Sequence, residues 1–199
     1  MSENTPGLPN AYPKVGPIVI NEIMYHPDIE ADAEYVELLN ISNAPVVLYD
    51  SNTNEPWKFN DEGGIEFFFP DTPVTTDPGE HILLVKDLAI FNLRFTAPSG
   101  TQIFEWGSGN LSNGGEKVNI SKPGDVDEFG TRYYIRVDRV NYSDGSHHEN
   151  FANLHPPLDP WPIEPDGGGM SLSRKVATEY GNDVINWKSA LPSLGSADP

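Results

Sequence analysis

The stretch Glu34-Tyr35-Val36-Glu37-Leu38-Leu39-Asn40 alternates polar and apolar residues with a period of two. That is the period of a β-strand, in which successive side chains point to opposite faces. Tyr35 and Glu37 share one face and Val36 and Leu38 the other, which predicts a half-buried strand. Outward from it, the same kind of punctuated run recurs. Upstream, Gly16-Pro17 precedes a β-branched run, Ile18 to Tyr25, which His26-Pro27 stops. Asn21 and Glu22 read as the close of that strand, where side chains satisfy edge backbone groups. Downstream come Val46-Val47-Leu48-Tyr49, Trp57-Lys58-Phe59 and Glu66-Phe67-Phe68-Phe69. Turn residues set off Glu80–Val85 after Pro78-Gly79, Glu116–Ile120 after Gly114-Gly115, and Thr131–Asn141 before Asp144-Gly145. Gly169–Arg174 reads as the last strand. One short peripheral helix is expected over Asp87–Phe95, with Asp87 as cap and Leu88, Phe91 and Phe95 at helical spacing. Evenly spaced short strands with so little helical period predict an all-β fold. The expected form is an immunoglobulin-like antiparallel β-sandwich with long loop insertions and at most one short helix. Residues 1–17, rich in Pro, Gly and Asn, read as a flexible linker or arm. Residues 18–196 form the domain, with an insertion at about 124–160.

Charge narrows the partners. Lys and Arg total 12 and Asp and Glu total 30, so the formal net charge is 12 − 30 = −18. Such a field repels a phosphate backbone, and no nucleic-acid partner is expected. Anionic lipid surfaces are disfavoured for the same reason. No apolar run is long enough to cross a bilayer, so no membrane insertion is expected. The first residues carry neither a basic n-region nor an apolar h-region, and an export signal is expected outside this stretch. The chain has no cysteine, which removes thiolate nucleophiles, redox pairs and cysteine-based zinc sites. A chain of 199 residues buries enough surface to hold a core without such staples.

Motifs with a chemical mechanism are scarce. There is no Gly-x-Ser-x-Gly elbow, no His-Glu-x-x-His and no phosphate-cradling loop. Thirty carboxylates guarantee chance pairs, so a glycosidase-type dyad stays open as an alternative. No cofactor is required. The metal that best suits the chain is calcium, with Asp125, Asp127 and Glu128 crowding oxygens into one acidic loop, though without EF-hand spacing. His147, His148 and His155 lie close in sequence and could hold a transition metal. His26 and His81 are isolated and read as ordinary. Trp57, Trp106 and Trp161 could stack on a sugar ring if exposed, whereas core packing is the commoner use of such residues. Trp187 reads as an apolar plug at one end of the fold.

The order of these pieces resembles the lamin tail domain in its bacterial, exported form. The resemblance runs from Ile18-Val19-Ile20-Asn21-Glu22-Ile23 through Glu34–Asn40, Val47-Leu48, Trp57-Lys58-Phe59 and Pro78–Val85. It continues with Leu111–Val118, Val140-Asn141-Tyr142, Trp161-Pro162 and Asp166–Arg174, and closes with Asn186-Trp187 and Leu191-Pro192-Ser193-Leu194-Gly195-Ser196. Two stretches depart from the family pattern: Asp50 to Glu55, where the family turns tightly, and Gly124–Pro160, where it has a shorter hairpin. The resemblance implies a non-catalytic, monomeric binding or structural module of a larger extracellular or cell-surface protein. Its partner would be a protein, a polysaccharide or an envelope component. The alternatives are a metal- or carboxylate-dependent hydrolase using the 124–160 insertion, and an inert spacer.

Overall fold

The computed structural model describes residues 6–7, 11–146 and 159–196. In chain order the strands are β1 (Ile18–Met24), β2 (Tyr35–Asn40), β3 (Val46–Val47), β4 (Tyr49–Asp50), β5 (Glu55–Pro56), β6 (Lys58–Asn60), β7 (Glu66–Phe68), β8 (Thr75–Thr76) and β9 (His81–Val85). Helix α1 (Leu88–Arg94) follows, then β10 (Gln102–Glu105), β11 (Lys117–Val126), β12 (Arg132–Asn141), β13 (Ser171–Arg174) and β14 (Trp187–Ala190). The fold is all-β. Among the described residues, a six-stranded sheet runs in the order β10-β9-β2-β1-β13-β14, and a four-stranded sheet in the order β12-β11-β6-β7. Two short ribbons, β3-β8 and β4-β5, complete the set.

The two large sheets share one apolar core. Ile18, Ile20, Val36, Leu38, Ile82, Leu84 and Leu172 come from the first sheet, and Phe59, Val118, Ile120 and Val140 from the second. At about 1.5–3 kcal/mol for each large apolar side chain fully buried, this cluster supplies most of what opposes chain entropy. Its position follows from the alternation along β2, whose Val36 and Leu38 face inward. The other face of β2 is also covered. Tyr35 packs with Met24, Leu83, Val85 and Phe91 in a second cluster roofed by α1. The expected half-buried strand is therefore buried on both faces. The helix is a roof rather than a peripheral decoration: Phe91 is buried, while Leu88 turns outward. Its cap is as expected, with Asp87 Oδ1 accepting from Ile90 N at 2.9 Å.

A single β-bulge decides where the chemistry sits. Between Ile20 and Glu22 the register of β1 against β2 shifts. Ile18 and Ile20 face the main core before the shift, and Ile23 and Tyr25 face it afterwards. Without the shift, Glu22 would share the face of Ile18 and Ile20. With it, Glu22 lies directly across from Glu37. Asn21 and Glu22 thus lie inside the strand, not at its close.

Other expectations are corrected by the sheet. The β9–β10 pair is parallel, not antiparallel, because α1 forms the crossover that parallel strands need. The tail contributes a strand that low β-propensity concealed: β14, carrying Trp187, pairs antiparallel with β13. Pro123 and Gly124, read as the start of a loop, lie within β11, where the ladder is irregular between Pro123 and Val126. The described first part of the stretch 124–160, expected to be an insertion, is thus a long β11–β12 hairpin.

The sheets are also tied by charge. Arg174 Nη1 on β13 donates to Asp138 Oδ2 on β12 at 2.6 Å, with both side chains almost fully buried. Ile20 N, released from the ladder at the bulge, donates to the same oxygen at 3.0 Å. Burial pushes the Asp138 carboxyl up, against the opposing pull of Arg174.

Candidate functional site

Glu22 and Glu37 face each other across β1 and β2, and both are 0% exposed. Like charges directly opposite are unfavourable, and a buried carboxylate needs donors. The fold supplies them from widely separated segments. Glu22 Oε1 accepts from Tyr35 Oη at 2.8 Å and from Ser171 Oγ. Glu22 Oε2 accepts from Ser193 Oγ at 2.5 Å, and Ser193 N donates to Oε1 at 3.1 Å. Glu37 Oε1 accepts from Asn21 Nδ2 at 2.8 Å and lies 2.7 Å from His81 Nδ1. Glu37 Oε2 accepts from Gly195 N at 2.5 Å. Burial nevertheless pushes the Glu22 carboxyl upward, with the neighbouring Glu37 adding to the effect.

The tail residues that reach this pair are held in an unusual conformation. Leu194 has φ 55° and Gly195 φ 88°. A Cβ on Gly195 would stand 2.9 Å from Thr101 Cγ2, so the close approach favours glycine there. Leu194 packs against the second cluster. The segment Ser193-Leu194-Gly195 is therefore a strap across the carboxylate pair. No family model matches this chain, and no curated protein does either.

A second set of carboxyls lies beside an open cavity of about 420 Å³ lined by Tyr25, His26, Glu34, Lys86, Asn110 and Leu111. Burial raises Glu34 to about 7, although Leu111 N donates to its Oε2 at 2.9 Å and Lys86 lies near. Burial likewise raises Glu116 to about 7, with the facing Asp61 charge contributing. Ser112 N donates to Glu116 Oε1 at 2.7 Å. Asp61 Oδ1 accepts from Gly64 N and Ile65 N, both at 2.7 Å. Carboxyls that stay part-protonated at neutral pH are groups that can donate as well as accept a proton. At the rim, His26 Nδ1 sits 2.5 Å from Asp166 Oδ1. Both histidines read as ordinary are thus paired with carboxylates, a fact carried by contacts too distant in sequence to leave a local motif.

The residues singled out from sequence are dispersed. Asp127 closes the β11–β12 turn: its Oδ1 accepts from Phe129 N at 2.9 Å and Thr131 N at 2.8 Å. These bonds, the one from Thr131 above all, hold its carboxyl below the usual range. Asp125 sits at the end of β11 and Glu128 in the turn, and no group of three or more His, Asp or Glu suited to a metal occurs among the described residues. His147, His148 and His155 lie outside the described residues. Trp57 and Trp106, candidates for stacking only if exposed, are 7% and 8% exposed and belong to the main core, so they offer no stacking platform. Trp161 is half-buried and packs on Trp187, ring centroids 6.2 Å apart. Trp187 is buried, with Nε1 donating to Gly181 O at 2.7 Å.

Proposed function

We propose that the chain is a lamin-tail-like β-sandwich, immunoglobulin-like in type, serving as a non-catalytic binding or structural module of a larger exported bacterial protein. Its role would be to tether that protein to a protein, polysaccharide or envelope component at the cell surface. The observation that carries this reading is the convergence on Glu22 and Glu37. Four of the motif pieces that suggested the family supply the pair and its donors: Asn21 and Glu22, Tyr35 and Glu37, Ser171, and Ser193 with Gly195. They explain why such pieces would occur together, and their use is to lock the tail onto the sheet. The two best-buried carboxylates are committed to donors of the chain itself, which favours a scaffold over a reaction centre.

A second reading, a carboxylate-dependent hydrolase, is favoured by Glu34 at the rim of the 420 Å³ cavity. One experiment separates them. The chain is sedimented with bacterial envelope fractions and insoluble polysaccharides while released reducing ends are assayed. Retention without release supports the module. Release that disappears in Glu34→Gln, a variant with folding intact, would replace it with the hydrolase.

A further inference from the structure

A groove of about 360 Å³ runs between β12 and the arm that precedes β1. Its cations are Lys14 on the arm, Lys122 on β11, and Arg136 and Arg139 on β12. These are four of the twelve Lys and Arg in a chain of net charge −18. Chance does not favour that gathering, and although Glu179 and Asp183 stand near Tyr12 on the opposite wall, the cations are not closely paired. Among the described residues, none of the four forms an ion pair within 4.0 Å, whereas Lys58, Lys86, Arg94, Lys117 and Arg174 all do. Arg139 Nε is buried with no hydrogen-bond partner. The carboxylate in the groove wall, Asp138, is turned inward and occupied by Arg174 and Ile20 N.

The local backbone explains how the cations come together. The register of β11 against β12 shifts so that Ile120 pairs with Asp138 and Ser121 with Arg136, leaving Val137 as the extra residue. A bulge of this kind breaks the alternation of the strand. Asp138 is thereby buried while Arg136, two positions earlier, stays exposed. The opposite wall is held in place by Tyr12, whose hydroxyl accepts from Tyr180 N at 2.8 Å. Residues Pro13, Lys14, Gly16 and Pro17, in the stretch read from sequence as a linker or arm, therefore form one wall of the groove.

We propose that this groove binds a short acidic oligosaccharide, with Lys14, Lys122, Arg136 and Arg139 meeting its oxyanions and Ile135 and Tyr180 meeting the apolar faces of its rings. The inference rests on the reading of the chain as a binding module and names its ligand class. Size and charge set the choice. The volume falls within the range of small-ligand sites. At physiological salt, charge acts over about 8 Å, so a short anion feels the four cations more than the remaining surface. A long polyanion such as duplex DNA would run out over that acidic remainder and be repelled. Arginine forks pair well with carboxylate, sulfate and phosphate oxygens.

The test is calorimetric titration of the full chain with digalacturonate, with cellobiose, inorganic pyrophosphate and duplex DNA as parallel arms. Digalacturonate is expected to bind, cellobiose not, and affinity should fall about tenfold or more in the Lys122→Glu/Arg136→Glu variant. Both side chains are exposed, so that variant should melt as the parent does. A control reversing two charges that do not line the groove, Arg94→Glu/Lys175→Glu, should retain more of the binding than the groove variant. Equal losses in the two variants, or no digalacturonate binding at low salt, would overturn the groove. Pyrophosphate binding as tightly as the sugar, or DNA binding better, would overturn the ligand class. Cleavage of digalacturonate in the cell would sink the non-catalytic reading while leaving the anion site standing.

Discussion

At the scale of single residues, the most deeply buried opposite charges, Asp138 and Arg174, are held as partners, and the cost of removing one is correspondingly high. Asp138 and Arg174 illustrate the asymmetry. Replacing Arg174 by Met leaves Asp138 buried with only the backbone donors Ile20 N and Arg139 N, and the expected loss is about 3–5 kcal/mol in urea unfolding. Replacing both, Asp138→Leu with Arg174→Met, removes the stranded charge together with its partner. It should recover part of that loss, the remainder being owed to Ile20 N, Ile20 O and Glu179 O, which lose their side-chain partners. A single-variant loss below about 1 kcal/mol would mean that the cross-sheet tie contributes little.

At the scale of elements, the strap and the helix make separate predictions. Deleting residues 192–196 removes Ser193 N, Ser193 Oγ and Gly195 N from the Glu22–Glu37 pair. The shortened chain should be destabilised by several kcal/mol at neutral pH and less at pH 5, because burial pushes the stranded Glu22 carboxyl toward its protonated form. A loss independent of pH would show that Leu194 packing, not the carboxylates, is what the strap provides. For α1, Asp87→Ala removes the cap on Ile90 N and should cost about 1 kcal/mol in thermal melts.

The same elements show what the sequence disclosed. Alternation in Glu34–Asn40 and the spacing of Leu88, Phe91 and Phe95 were legible, because period and capping are local properties. The bulge at Asn21 was not. It depends on one extra residue in a ladder, and no composition marks it, yet it reverses the face of Glu22. Strand β14 was hidden because Trp187-Lys188-Ser189-Ala190 gains its conformation from pairing with β13. The tail motif Leu191–Ser196 was visible as a pattern, but its meaning required contacts between residues 171 positions apart. Trp57 and Trp106 were visible as aromatic residues and ambiguous in role, since burial is a property of the assembled sheets.

At the scale of the whole molecule, charge and burial act on stability in the same direction, and they can be told apart. Glu34 and Glu116 are raised from 4.5 to about 7 in the folded chain. Between those values the folded state holds protons that the unfolded state has released. Stability is therefore greatest at the acid end of the window and falls as pH rises through it. Lys86 opposes this at Glu34, while Asp32 and Glu116 reinforce it. Allowing for solvent screening, the two groups together should cost about 2 kcal/mol between pH 5.5 and 8, or about 5 °C in melting temperature. The acid limit is set above the sequence pI of about 4.4 to avoid precipitation. Self-repulsion of the net −18 charge also grows over this range, but it acts across the surface and is screened by about 0.5 M salt. The part due to burial is not. At high salt the decline with pH should therefore persist in the parent chain and shrink by about half in Glu34→Gln, whose amide cannot ionise. If the decline vanished in salt, or were the same in Glu34→Gln, surface repulsion alone would account for it. Glu34 would then lose its standing as a neutral acid beside the cavity, and with it the main support for the hydrolase reading.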